Sequence, residues 1–319
     1  MNVNPRDNGE TTAGQLPNLV EAFRSAGSPA VLSHDQTQAW VPLAQGQLQR
    51  IPLECPQAPD KADISAVLAQ KSIWIAGWLQ EPTAELPANC FDYACDDGEY
   101  CVEKLSKYGR RDVRRGLRSF EVRRCTWDEL VDKGFSAYAD AEARHGHTAP
   151  SPDELRQMAA AQRDCPLIEL WGAWDGEDLA AWIKVMKVDD WAFITTACSC
   201  NEALRNCPNN AVTYEATRAL LVAEGRRRVS YGISSLQATD NILSLHKFKL
   251  RMGYEALRRR RAFAVHPLLR PLVANRPASW MWDLLVRLRP GSGKFSKVAG
   301  MARMLTGRAG DPLAWAEDS

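Results

Sequence analysis

Four consecutive arginines, Arg258 to Arg261, and a second basic run holding Arg110, Arg111, Arg114, Arg115 and Arg118 most directly suggest chemistry: each gathers several guanidinium groups. Groups of that kind meet phosphate, on nucleic acid, on lipid or on a nucleotide-bearing substrate. For either run alone, a solvated face is an equally good reading. The thiols and imidazoles say less. Nine cysteines contain no CxxC pair, and the nearest groupings are Cys198-x-Cys200 with Cys207 and the spread set Cys90, Cys95, Cys101. Such scatter reads as reduced thiols used as small apolar residues, and His145-Gly-His147 reads as a polar loop, so no metal is expected. Cys198 and Cys200 could serve as nucleophiles, but in an apolar stretch a thiol is more often packing.

The chain that must position these groups has 319 residues, of which 45% are hydrophobic, enough for one large domain or two smaller ones. No apolar run nears the roughly 18 residues of a membrane span, and the opening MNVNPRDNGETTAGQ has neither part of a secretion signal. A cytoplasmic protein is the expectation. The net charge of +1 conceals an asymmetry: residues 1–100 hold 5 Lys+Arg against 13 Asp+Glu, whereas residues 103–124 hold 9 against 3 and residues 264–310 hold 8 against Asp283 alone.

Four segments follow from pattern. Residues 1–15 are polar and expected to be disordered. Residues 16–99 read as a small α+β unit, with a helix from Leu16 to Ala26 and short β-like runs at 30–33, 39–43, 48–53 and 73–79. Residues 100–265 form the informative unit. A basic helix enters it, a strand follows at 120–124, and a helix is expected over 128–143. Ser151, Pro152 and Glu154 then spell a capping box for a helix from Pro152 to about Arg163. Three runs separated by Asp175-Gly176 and Asp189-Asp190, namely LIELWGAW, LAAWIKVMKV and WAFITTACSC, predict an antiparallel meander. Asn209-Asn210 is expected to cap a helix that Gly225 stops, and VSYGIS returns as a strand parallel to the last of the meander, because such crossovers are right-handed. A helix capped by Asp240 and ended by Gly253 precedes a final strand from Tyr254 to Val265. Residues 266–319 form a basic helical tail interrupted by prolines.

Three antiparallel strands, a crossover helix, a parallel strand, a helix and a final strand is an order that resembles the core of GNAT acyltransferases. The ending FKLRMGYEAL, Phe248 to Leu257, resembles the signature of the FemAB-like branch, and the segment from Lys104 to Arg118 resembles the Arg-rich helix that enters its second unit. The resemblance covers residues 100–265. It implies a mixed α/β (α+β) fold with a central antiparallel and parallel sheet flanked by helices, in two tandem GNAT-like units, the first degenerate. The Arg258 to Arg261 run is then expected on an exposed or edge strand, its side chains alternating between groove and solvent.

The same resemblance implies transfer of an acyl or aminoacyl group to an amine acceptor, a small molecule or a lipid-linked cell-envelope or saccharide precursor. The donor would be acyl-CoA or aminoacyl-tRNA, held where two strands splay beside Thr196 to Cys200 and Ser230 to Ser234, with Thr196 and Cys198 in the gap. Phe248 and Lys249 match the Phe-Lys pair implicated in placing the donor. CoA-using members wrap pyrophosphate in a glycine-rich loop at the crossover helix, whereas CNEALRNCPNNAV has no Gly, leaving Arg205, Asn209 and Asn210 as phosphate contacts. No His or carboxylate stands out as general base; Glu169, Asp240 and Tyr231 are candidates beside water or the substrate. The alternative reading is an inactive GNAT scaffold that binds tRNA or an anionic lipid surface. The tail, with Trp280 and Trp282 among cations, is expected either to cover the core or to touch the inner face of a membrane, and to be dispensable for folding from Ala278 onward.

Overall fold

The computed structural model describes residues 15–44, 46–53, 55, 57–144, 151–234, 240–289 and 293–309. The polar first 14 residues and His145-Gly-His147 lie outside them. After α1 (Leu16–Ser25) come β1 (Val31–Leu32), β2 (Ala39–Ala44) and β3 (Gln47–Ile51), antiparallel to one another in turn. Helix α2 (Lys61–Leu68) then crosses to β4 (Ile75–Gln80), which lies parallel to β3. The second half repeats this plan. Strands β7 (Ile168–Asp175), β8 (Asp178–Val188) and β9 (Trp191–Ser199) form the expected meander, α7 (Pro208–Arg218) crosses over, and β10 (Arg228–Ile233) lies parallel to β9.

The halves then exchange their last strands. β5 (Cys90–Cys95) follows β4 in the chain but pairs with β10 of the second half, antiparallel. β11 (Glu255–Val265) follows β10 and α8 (Asp240–Arg251), yet its residues 260–265 pair with β4 while its residues 255–259 pair with β5. With β6 (Glu121–Cys125) at the far edge, one sheet of 11 strands results, in the order β1-β2-β3-β4-β11-β5-β10-β9-β8-β7-β6. The sheet is mixed and flanked by helices, as the resemblance implied.

This order corrects the placement of Arg258 to Arg261. β11 is interior, so the arginines span the junction where its partner changes from β5 to β4. Only Arg258 is exposed; Arg259 pairs with Glu81 at 2.9 Å, and Arg261 is buried with its guanidinium 5.1 Å from the Phe263 ring centroid. Two smaller corrections concern helices. The predicted helix over 128–143 is two, α4 (Trp127–Lys133) and α5 (Phe135–Arg144), divided at Gly134, where a β-carbon would meet the Leu130 carbonyl at 2.7 Å. Asn209 and Asn210 are not caps, because Cys207 holds that position with φ 60° and Pro208 opens the first turn, its ring pre-set for helix. The capping box of Ser151 and Glu154 on α6 (Pro152–Gln162) is as expected.

Two large cores form on the sheet's faces. One contains Trp182, Leu130, Leu155 and Phe193 under α1 and α4 to α6; the other contains Val113, Val212, Tyr214 and Tyr254 under α7, α8 and the basic helix α3 (Lys107–Ser119). The tail folds as α9 (Arg270–Val273), α10 (Arg276–Leu288) and α11 (Gly293–Leu305). Val273, Met301 and Ala302 pack on Ile75, Phe263 and Val265, and Met304 reaches the first large core. Of the two expected roles of the tail, this packing is that of a cover on the core, since removing α11 would bare apolar side chains of β4 and β11.

Candidate active site

Strands β9 and β10 pair only between Trp191–Phe193 and Arg228–Ser230, after which β9 continues to Ser199 paired with β8 alone. The register between β8 and β9 slips by one residue at Thr195, whose Oγ1 donates to the Lys184 carbonyl at 3.1 Å. A bulge of this kind bends the strand and frees backbone groups. Opposite it, Gly232 has φ 78° and lies so near the Phe193 ring that a β-carbon would stand 3.3 Å from it. The splay expected beside Thr196 and Ser230 is present.

Around β10 the chain gathers buried polar groups. Asp92 on β5 is 1% exposed, and Ser230 Oγ donates to its Oδ1 at 2.6 Å while accepting from the Gly232 amide at 3.1 Å. Burial raises the Asp92 pKa, opposed by the Ser230 bond and by the charges of Arg259 and Lys249. On the other face of β5, Tyr93 shares a 2.8 Å hydrogen bond with His246 Nδ1 of α8. Burial, then the cations Lys249 and Lys247, lower the His246 pKa, so the ring stays neutral near pH 7.

Lys249 is 4% exposed, with Nζ 4.1 Å from the Tyr93 ring centroid and 5.1 Å from that of Tyr231. Its carbonyl accepts from the Met252 and Tyr254 amides, both at 3.1 Å, whereas its Nζ has no ion pair or hydrogen bond to a described residue. Burial pushes its amine down to about 7, with the Asp92 charge acting the other way. A lysine so placed exchanges its proton near neutrality. Phe248, half-buried, stands edge-on to Tyr231 at 5.8 Å, and Tyr254 does so at 5.5 Å, which fixes the ring that Lys249 faces. Burial raises the Tyr231 hydroxyl to about 12.

Other expected site residues fall in different surroundings. Thr196 lies just past the bulge, half-buried. Cys198 is buried with its thiol raised to about 12 by burial, the state of a packing residue. At the start of α7, Asn209 Nδ2 donates to Ser199 Oγ at 3.0 Å and Asn210 Nδ2 approaches Met252 Sδ at 3.4 Å. Arg205 is exposed, and its carbonyl accepts from Arg115 at 3.3 Å. Helix α3 presses on this turn through Gly116, where a β-carbon would lie 2.6 Å from the Cys207 carbonyl. The Asn209 and Asn210 amide donors are thus engaged within the chain, and with Gly116 pressed on the turn it fits a wrapped pyrophosphate poorly. Glu169 is part of an ion network; burial works against its ionisation, but Lys187 at 2.9 Å and Arg124 hold its pKa low, unsuited to a general base. The side chain of Asp240 lies outside the described residues. Among the described residues, no group of three or more His, Cys, Asp or Glu could hold a metal.

The basic helix is anchored at both ends of the site. Gly109 abuts the end of α8, where a β-carbon would overlap the Arg251 carbonyl at 2.0 Å, and Gly116 abuts α7. Its outer face shows Arg111, Arg114, Arg115 and Arg118, with Arg110 half-buried. Arg111 pairs with Asp112 at 2.8 Å, Arg114 with Glu103 at 3.4 Å, and Arg110 donates to the Glu103 carbonyl at 3.1 Å.

Asp92, Tyr93 and His246 are the residues that sequence reasoning missed. A usable signal existed: CFDYAC puts one carboxylate inside a strand whose six residues are all buried. Among the described residues, the first half has no matching site. β3 and β4 pair only over Gln47–Gln49 and Ile75–Gly77, and where they diverge the 1%-exposed Arg50 fills the gap, donating to the Leu79 carbonyl at 3.0 Å and the Cys55 carbonyl at 2.9 Å. A cavity of about 1080 Å³ bordered by Gln47, Lys71 and Trp74 lies at the other end of these strands and holds no carboxylate, His or Cys.

No protein-family model matches the chain, and no curated protein matches it in sequence. Solved structures do. FemX superposes with a TM-score of 0.56 at 10% identity, covering 86% of this chain and 99% of that one. A C-terminal domain assigned to a lysylphosphatidylglycerol synthetase from Agrobacterium fabrum gives 0.51 at 12% identity, covering 86% and 96%. These likenesses concern the fold: the chain shares the GNAT-like architecture of FemX and of that domain.

Proposed function

We propose that the chain transfers an aminoacyl or acyl group to an amine acceptor, with the chemistry at the splay of β9 and β10. The observation that carries this is the buried Lys249, whose Nζ faces Tyr93 and Tyr231 with no ion pair among the described residues, beside the separation of the parallel strands β9 and β10. An amine attacking an ester or thioester carbonyl creates an oxyanion and must shed a proton, while the leaving oxygen or sulfur gains one. Lys249, protonated about half the time near pH 7, supplies positive charge to the oxyanion or a proton to the leaving group. Asp92, with its raised pKa and its Ser230 contact, takes the proton from the attacking amine. Phe248 positions the ring against which Lys249 rests. Tyr93 and His246 hold α8 to β5.

Aminoacyl-tRNA suits the chain better than acyl-CoA, for two reasons: the crowded first turn of α7 and the cationic outer face of α3, where Arg111, Arg114, Arg115 and Arg118 are exposed. A neighbour named for lysylphosphatidylglycerol synthesis supports an aminoacyl donor and a lipid-linked acceptor. On this reading residues 16–99 are a degenerate GNAT-like unit, its gap filled by Arg50, and residues 100–265 are the acting unit.

The purified full chain should be incubated separately with charged bulk tRNA and with acyl-CoA, with an amine present, and followed by mass spectrometry. Amine-dependent loss of the aminoacyl ester is expected. If neither donor is bound or consumed, the alternative holds, an inactive scaffold that binds tRNA or an anionic surface through its basic faces.

A further inference from the structure

The outward face of α10 is apolar where a surface helix is ordinarily polar. Trp280, Met281, Leu284 and Leu288 are exposed by 58, 43, 55 and 67%. Their spacing places them within one arc of the helix, and Pro277 lies in the same arc. Leu268 and Leu272, exposed by 74 and 52%, precede it around α9. The charges on this side all have one sign: Arg276 and Arg287 border the arc, and Arg289 closes the helix. Among the described residues of the tail the one acid, Asp283, turns inward and is neutralised by Arg308 at 2.8 Å and Arg303 at 3.5 Å.

Packing holds this face in place. Asn275 caps α10 by accepting from the Ala278 amide at 2.9 Å, Trp282 Nε1 donates to the Leu272 carbonyl at 2.8 Å, and α11 rests on the sheet through Met301 and Ala302. The helix therefore presents apolar side chains outward without needing to fold on contact. Apolar residues flanked by cations without acids match the chemistry of an anionic bilayer surface, with apolar side chains below the headgroups and guanidinium groups among the phosphates. No helix among the described residues is long and apolar enough to cross a membrane.

We infer that the exposed face of α10, with Leu268 and Leu272 beside it, docks the protein on an anionic phospholipid surface. The inference stands on the helix itself, and its test does not depend on turnover. Full-length protein should be centrifuged at low salt with vesicles of phosphatidylcholine alone and with vesicles containing phosphatidylglycerol. Sedimentation is expected only with the second. Trp280→Ser combined with Leu284→Ser should weaken it by about tenfold or more, and Arg276→Glu combined with Arg287→Glu should do likewise. Both pairs alter exposed side chains, so urea denaturation should leave the folded state as in the parent. Three results overturn the inference: no sedimentation with phosphatidylglycerol vesicles, sedimentation unchanged in both double variants, or a full-length dimer that Trp280→Ser dissociates, which makes the face a contact between copies.

Discussion

Replacing Lys249 by Met keeps the length of the side chain and removes its charge. In the folded protein the amine has been pushed from 10.5 to about 7. At roughly 1.4 kcal/mol per pH unit, that fall sets a ceiling of about 5 kcal/mol on the cost of holding the proton in the fold at low pH. The contact with the Tyr93 ring offsets about 2 kcal/mol of it, which leaves about 3 kcal/mol, within the range seen when buried charges give way to apolar residues. Lys249→Met should therefore be more stable than the parent at pH 6 to 7. In the unfolded chain the amine keeps its ordinary value, so between about 7 and 10.5 the unfolded state binds the extra proton and the parent gains stability as pH rises. The advantage of the variant must shrink over that window and vanish above it. Urea unfolding at pH 6, 7 and 9.5 measures this directly. Transfer should meanwhile fall by about 10²–10³-fold, as when one donor to an oxyanion is removed. A variant no more stable at pH 7, or a stability difference that ignores pH, would refute the argument that Lys249 carries a labile buried charge.

Two further predictions follow from neighbouring groups. Asp92→Asn keeps the shape of a carboxyl whose pKa burial has raised; since the folded state holds that proton to higher pH than the unfolded chain, the parent loses stability as pH climbs past the ordinary carboxylate value, and the variant should be at least as stable at pH 7. Its transfer rate should drop by about 10²–10⁴-fold with loss of the acid limb of the pH–rate profile, and an unchanged profile removes Asp92 from proton transfer. On α3, Arg115→Ala and Arg118→Ala should each lower the slope of log Kd for tRNA against log salt by about 0.7–0.9 without altering urea unfolding; unchanged slopes would make these arginines a solvated face.

Local chemistry was well expressed in the residue order. The capping box at Ser151, the two turns of the meander, the crossover through α7 and the extent of β11 all depend on contacts within a few residues or on a strong apolar run. What could not be read depended on distant partners. β5 is buried on both faces because Cys90 enters one large core while Phe91, Tyr93 and Cys95 enter the other, so it shows no alternation, and its Asp92 went unnoticed with it. β11 looked like an edge because nothing in RRRRAFAV reveals that β4, some 180 residues earlier, pairs with it. The Phe248-Lys249 pair was found by resemblance; its burial between two tyrosines is a property of the assembled sheet.

The exchange of final strands has a consequence for how the chain is made. During synthesis from the N-terminus, β4 emerges long before β11, and β5 long before β10, so neither can complete its pairing until residues 228–265 exist. The early chain must wait with open strand edges, a condition that favours association between copies. Contacts that span so much sequence also slow folding. A break anywhere between β5 and β10 thus yields two fragments that each lack a central strand, and the pieces can become folded only by finding each other.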